Sequence, residues 1–364
     1  MILTRSKQQI VQAPALLLIA TLALSFIFSA NTVVAQQQSR EQPPKQQTPP
    51  TPPAKPASVG DDDEEIIRVS SNLVVVPVSV TDEAGEAVQG LSAADFRLDE
   101  EGRRQEIARL GDAEQVPLDI AILLDVSGSV NARFAFEKEA AARFLKQILK
   151  PVDRATVFAI DARPRLEQTR ATANIASARL MAILPARSST AFYDTVVDAA
   201  RYLSKASPSG ARRVIIVISD GEDTNSERIK TVLSKATSSP DAVRAEHERA
   251  LQQVQRELQR ADATFYSLNP SGESLRLNVI STRAQQGMQQ FAAATGGAAF
   301  APEREQDLEK IFRRIANELR SQYLLQYYSK DESPSGKFLR IKVAVPARPQ
   351  LRVRARQGYY TKNR

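Results

Sequence analysis

The chain has 364 residues, of which 42% are hydrophobic and 25% charged, enough for one large globular domain or two modest ones. It has no cysteine, no tryptophan and one histidine, which excludes a disulfide framework, a thiolate zinc site and a cysteine nucleophile. The net charge of +7 falls to +5 (7 − 2) without the first 35 residues, which contain Arg5, Lys7 and no acid, so charge alone points to no partner.

The chain opens with that basic pair, then "APALLLIATLALSFIFSA", then "VVA", which puts the small residues Val33 and Ala35 before Gln36. This pattern predicts a secretory signal peptide over residues 1–35 and a protein that works outside the cytoplasm, periplasmic or secreted. The alternative is an uncleaved anchor, since the apolar run approaches the roughly 20 residues needed to span a membrane. Cleavage would leave no transmembrane segment. Without cysteine, lipoprotein attachment is excluded.

Residues 36–65 are a Pro/Gln-rich spacer ending in the acidic run "DDDEE", predicted to be a solvated, disordered linker. From 66 to 112 the pattern is β. Val74, Val76, Val78 and Val80 recur with the period of two of a strand, and "FRLDEEGRRQEIARL" reads as two strands joined by a turn at Glu101-Gly102.

From Pro117 strands and helices alternate. "LDIAILLD", "ATVFAID", "RRVIIVISD", "ATFYSLNP" and "AAFAP" read as strands, with "RPRLEQT" as an edge strand. Helices are expected at "RFAFEKEAAARFLKQIL", with Phe136, Ala140, Phe144 and Ile148 on one stripe, and at "NIASARLMAI" and "FYDTVVDAARYLSKA". A helical region broken near Pro240 follows, then "RAQQGMQQFAAAT", ended by Gly296-Gly297, and the long "EQDLEKIFRRIANELRSQY". The expectation is an α/β fold over 117–325, a doubly wound, mainly parallel sheet of Rossmann-like form.

The tail, 326–364, turns β again in "KFLRIKVAVP" and "QLRVRARQGYY". Its strands need partners, and the unsatisfied ones lie at 66–112. A smaller all-β sandwich formed by both ends of the chain, with the α/β domain inserted, satisfies both. The tail carries nine Lys or Arg from Lys337 onward and no acid. Alternating strand arginines predict a solvated face. If they dock anything, it is an anionic envelope polymer or lipid headgroup rather than nucleic acid.

Chemistry concentrates in three stretches. "DVSGSV" puts Asp125, Ser127 and Ser129 after the first α/β strand; "SSTAF" puts Thr190 before a helix; "ISDG" puts Asp220 after a later strand. In a doubly wound sheet the first strand is central, and ligands bind beyond the carboxyl ends where strand order reverses. Two carboxylates and three hydroxyls are hard oxygen ligands, suited to Mg2+ or Mn2+. The competing reading is of caps and turns only. Asp223 is read as a solvated loop carboxylate, Asp194 as a helix-dipole residue and His247 as solvent-facing on a charged helix. There is no nucleophile elbow and no phosphate loop, which argues against an enzyme.

With these residues in hand, the chain resembles the von Willebrand factor type A family: Asp-x-Ser-x-Ser, a distant Thr and a distant Asp occur in the order of its metal-ion-dependent adhesion site. The flanking pieces resemble those of exported VWFA-related proteins described from Acidobacteria. The resemblance implies Asp125, Ser127, Ser129, Thr190 and Asp220 as metal ligands, and a protein partner that offers an acidic residue to the ion. It also implies a last helix able to shift on ligand binding. Ser188-Ser189 stand where many members have Gly. The rival role is a scaffold or assembly factor of an envelope complex, with the metal purely structural.

Overall fold

The computed structural model describes residues 72–127, 132–186, 188–229, 239–271, 279–302, 304 and 306–361. The predicted signal peptide, the linker with its acidic run, residues 66–71, Ser129 and most of the helical region before Pro240 lie outside these. Among the described residues, no helix is long and apolar enough to cross a membrane.

The central sheet has six strands. β5 (Leu118–Asp125) pairs in parallel with β6 (Arg154–Ile160) on one side and β8 (Arg212–Ile218) on the other. Beyond β8 come β9 (Ala263–Leu268) and the short β10 (Ala298–Phe300); beyond β6 comes β7 (Pro164–Ala171), an antiparallel edge strand as expected. The order β10-β9-β8-β5-β6-β7 makes β5 the strand where the winding reverses.

Seven of the eight β5 residues are buried, because a strand in the middle of a parallel sheet is covered on both faces. Its side chains divide with period two. Ile120, Ile122 and Leu124 join a core with α1 (Ala132–Ile148), α2 (Ala173–Ala182) and α6 (Asp307–Arg320). Ala121 and Leu123 join the opposite core with α3 (Phe192–Ala206), α4 (Pro240–Arg260) and α5 (Val279–Thr295). In α6 the stripe Leu308, Phe312, Ile315, Leu319 is buried at helical spacing, and Phe312 packs on Phe144 of α1 at 5.0 Å between ring centroids.

The sandwich consists of two four-stranded antiparallel sheets drawn from both ends of the chain. One is ordered β13-β1-β11-β4, with β13 Arg352–Ala355, β1 Leu73–Thr81, β11 Tyr323–Tyr328 and β4 Arg109–Asp112. The other is ordered β14-β12-β2-β3, with β14 Gly358–Tyr360, β12 Phe338–Ala344, β2 Arg97–Glu100 and β3 Arg103–Gln105. Val74, Val76, Val78 and Val80 face the sandwich core with Leu98, Leu325 and Tyr327, as the alternation predicts. Three strands, not two, follow residue 96: β4 leaves the β2–β3 hairpin to pair with β11 in the other sheet. The last helix ends at Arg320, and Tyr323, expected within it, opens β11 instead.

The sandwich is bonded directly to the α/β unit. Arg212 at the start of β8 donates to the Leu319 and Ala113 carbonyls and to Gln322 Oε1, and Gln322 Nε2 donates to Ser79. Buried Glu318 of α6 accepts from Tyr266 of β9 at 2.7 Å and from Arg354 of β13. Gly296, at φ +82°, closes α5 where an added Cβ would stand 2.7 Å from the Ala355 backbone carbon, so only glycine lets the two units approach this closely. The basic tail strands are therefore not a solvated face throughout. Arg354 and Arg356 pair with Glu318 and Asp262, while Arg352, Arg340 and Lys342 stay exposed.

Candidate metal centre

The carboxyl ends of β5 and β8 carry Asp125 and Asp220 on neighbouring strands. β5 ends at Asp125, and Asp220 lies two residues past the end of β8. The parallel register pairs Leu124 with Ile218, so the next position places Ser219 beside Asp125. Ser219 Oγ donates to Asp125 Oδ2 at 2.6 Å and accepts from Gly221 N. Ser127 donates to Asp125 Oδ1 twice, from its backbone N at 3.0 Å and from its hydroxyl at 2.6 Å. Asp125 is thus fixed by hydroxyls and an amide, all of them neutral donors.

Thr190 arrives from the loop before α3 and is buried. Its backbone N donates to Thr224 Oγ1, and its carbonyl accepts from Thr224 N and Asn225 N, which fastens it to the loop that carries Asp220. The stretch leading to it is tied to the other strand ends: Ala186 N donates to the Val126 carbonyl at 2.7 Å, Ala191 N to the Asp161 carbonyl, and Ser188 Oγ to Asp161 Oδ1. Ser188 thus holds the loop down through its hydroxyl. Of the five predicted site residues, the structure positions Asp125, Ser127, Thr190 and Asp220 on three interlocked segments; Ser129 lies outside the described residues.

The electrostatics of this end are unbalanced. Burial, opposed by the Glu222 N–H and reinforced by the charges of Asp125 and Glu222, pushes the Asp220 carboxyl up to about 6. No basic side chain is among these influences. Two repelling carboxylates with only neutral donors around them fit a bound cation: the donor set is oxygen throughout, and a divalent charge would relieve the repulsion. Among the described residues no cluster of three or more Asp, Glu or His side chains could hold a metal, so a cation here would depend on hydroxyls as well as carboxylates.

The shift has a testable sign. An acid whose folded value lies above its ordinary 3.8 makes the metal-free fold less stable as pH rises from about 4 to about 6, by about 3 kcal/mol at most. A cation must displace the proton, so its affinity is expected to be flat above pH 7 and to fall about tenfold between pH 7 and pH 5. Calorimetric titrations across that range check this; an affinity independent of pH would remove Asp220 from the site.

Two expectations are corrected, and a third is extended. Asp223 is not a solvated loop carboxylate. It is half-buried, its carboxyl raised by burial, and it accepts from Tyr193 N, Asn225 N, Ser226 N and Ser226 Oγ, joining the α3 start to the Asp220 loop. Asp194 sits in the first turn of α3 as expected, and it is also buried and accepts from Glu227 N and Arg228. His247 does not face solvent freely: it is half-buried against the Tyr193 ring, 5.9 Å between centroids, and burial followed by the Arg283 charge lowers its value. Sequence reasoning also missed Ser219. The signal was present in the register, since the residue after Ile218 falls opposite Asp125 once β5 and β8 are taken as neighbours.

Residues 120–222 match the family model of the von Willebrand factor type A domain. This part of the α/β unit is accordingly similar to a von Willebrand factor type A domain. Among solved structures, the chain is similar to a von Willebrand factor type A protein from Catenulispora acidiphila, at 18% identity and a TM-score of 0.42, over 70% of this chain and 51% of that one. It is similar to BatB from Bacteroides thetaiotaomicron at 18% identity and a TM-score of 0.37, over 56% of this chain and 100% of that one. It is also similar to proximal thread matrix protein 1 of the mussel byssus with a zinc-occupied MIDAS motif, at 14% identity and a TM-score of 0.42, over 61% and 50%. The chain thus spans about half the length of the Catenulispora and mussel proteins. Likenesses this distant carry no functional argument. No curated protein matches the chain.

Proposed function

We propose that this protein is an exported, non-catalytic interaction module. In this reading Asp125, Ser127, Ser129, Thr190 and Asp220 hold Mg2+ or Mn2+, and the ion grips an acidic residue of a protein partner. The observation that carries it is the pair of mutually repelling carboxylates at adjacent strand ends, one of them desolvated and with no basic side chain among the described residues acting on it. The bound ion would supply residual positive charge and a coordination position for an external carboxylate.

The chain's own residues do the positioning. Ser219 and Ser127 aim the two Asp125 oxygens, Gly221 at φ +78° turns the chain directly after Asp220, and Asp223 and Thr224 hold the Thr190 loop against it. A non-catalytic role is supported by the place of the single histidine, packed on Tyr193 with Arg283 and Glu248 as its charged neighbours.

The test is binding of an Asp-containing peptide to the full chain in saturating magnesium, against chelator and against an Asn-substituted peptide. Binding that needs both the ion and the peptide carboxylate is expected. Metal binding with indifference to the carboxylate would favour the scaffold reading, in which the ion only fastens loops.

A further inference from the structure

At the opposite pole of the sheet from Asp125, where β8 and β9 begin, a cavity of about 540 Å³ lies between the α/β unit and the sandwich. Its volume falls in the range of small-molecule sites, roughly 300–1,000 Å³. One wall is apolar. Leu73, Val75 and Pro77 of β1 and Leu324 of β11 line it, and Leu73 and Val75 are two of the few large hydrophobic side chains left exposed, at 49% and 37%. They point away from the sandwich core that Val74 and Val76 enter, so the strand's own packing gives them no partner.

The other wall is cationic. Arg212, Arg213, Arg260 and Arg356 line it, against the carboxylates Asp262 and Asp331. Both acids already have a basic neighbour, Arg356 for Asp262 and Lys337 for Asp331. Arg212 is 7% exposed, and its terminal nitrogens reach only carbonyl and amide oxygens; Arg213 donates to the Ala261 carbonyl. The Nε atoms of Arg212, Arg213 and Arg356 are all buried with no hydrogen-bond partner. Native interiors rarely leave such donors unmade, and guanidinium donors match oxyanions in geometry and charge. Burial, with Arg320 adding repulsion, lowers the Arg212 guanidinium to about 10, the direction that a nearby anion would reverse.

We propose that this cavity binds an amphipathic oxyanion, its carboxylate or phosphate against the Arg212–Arg213 side and its apolar body along Leu73, Val75 and Leu324. The site is independent of the metal centre and sits on the joint between the two units, so its occupant would bridge them.

The chain lacks tryptophan, so Leu73→Trp, at an exposed position, creates a single fluorophore on the cavity wall. Decanoate, decyl phosphate and decanol, each below its micelle concentration, are titrated into this full-length variant. A saturable blue shift is expected with one or both anions, at least tenfold tighter than with the alcohol and weakened at least tenfold by adding Arg213→Gln. The two anion arms distinguish a carboxylate from a phosphate ligand. Circular dichroism of the double variant confirms folding, and Val75→Asp serves as a second route should Arg213→Gln fail to fold, since it places a negative charge on the same wall. Equal response to decanol and the anions, anion binding unchanged by Arg213→Gln or Val75→Asp, or no response to any ligand would overturn the proposal.

Discussion

Asp125→Ala is expected to lower divalent-cation affinity at least a hundredfold while leaving the metal-free fold within about 1 kcal/mol of the wild type. The carboxylate ends β5, and both its oxygens are held by hydroxyl donors, Ser127 on one and Ser219 on the other. Its removal takes away a negative charge that raises the Asp220 carboxyl. The variant should therefore show a lower Asp220 value by NMR titration. The two freed hydroxyls cost about 1 kcal/mol each if they find no water, which the relieved repulsion offsets in part. Loss of metal binding through unfolding would look different: urea denaturation would show a lower midpoint, whereas the account requires it to stay within about 1 kcal/mol of wild type.

Glu318→Ala carries the largest expected loss of stability, about 3 kcal/mol, because it leaves the half-buried Arg354 guanidinium and the buried Tyr266 hydroxyl without their shared partner. Glu318 is 2% exposed, and it joins α6 to Tyr266 of the central sheet and to Arg354 of the sandwich. The alanine leaves the Arg354 guanidinium without its counter-ion and the Tyr266 hydroxyl without its acceptor. Against a typical total of about 5–15 kcal/mol, this should lower the urea midpoint sharply. The paired change Glu318→Leu with Arg354→Met removes both charges and should recover most of the loss. If the single and double variants are equally unstable, the ion pair is not what joins the units.

How much of this was legible depended on how local the cause was. The aliphatic run of β5 announced a strand covered on both faces, and the Asp ending it announced the open end of the sheet. The unpaired strands at both ends of the chain required one another, and they do pair, β1 with β11 and β13. Arg354 of β13 was misread for a physical reason. Period two says that one side of a strand faces away from its own core, but it cannot say what lies there, and what lies beside Arg354 is Glu318 of α6. β4 was missed because "RLGD" has no alternation of its own; Gly111 leaves room for Gln326, whose side-chain nitrogen an added Cβ would meet at 2.8 Å. Asp223 and His247 were misplaced for a related reason. Their polar surroundings in sequence suggested solvent, whereas the loop after β8 folds in against the start of α3.

The most direct test of the central claim is calorimetric titration of magnesium into the full-length wild-type protein near pH 7.5. The account predicts binding at one site, absent in Asp125→Ala and weaker at pH 5. Failure of the wild type to bind magnesium or manganese, with or without a small carboxylate present, would contradict it and reduce the Asp125, Thr190 and Asp220 loops to turns that merely close the end of the sheet.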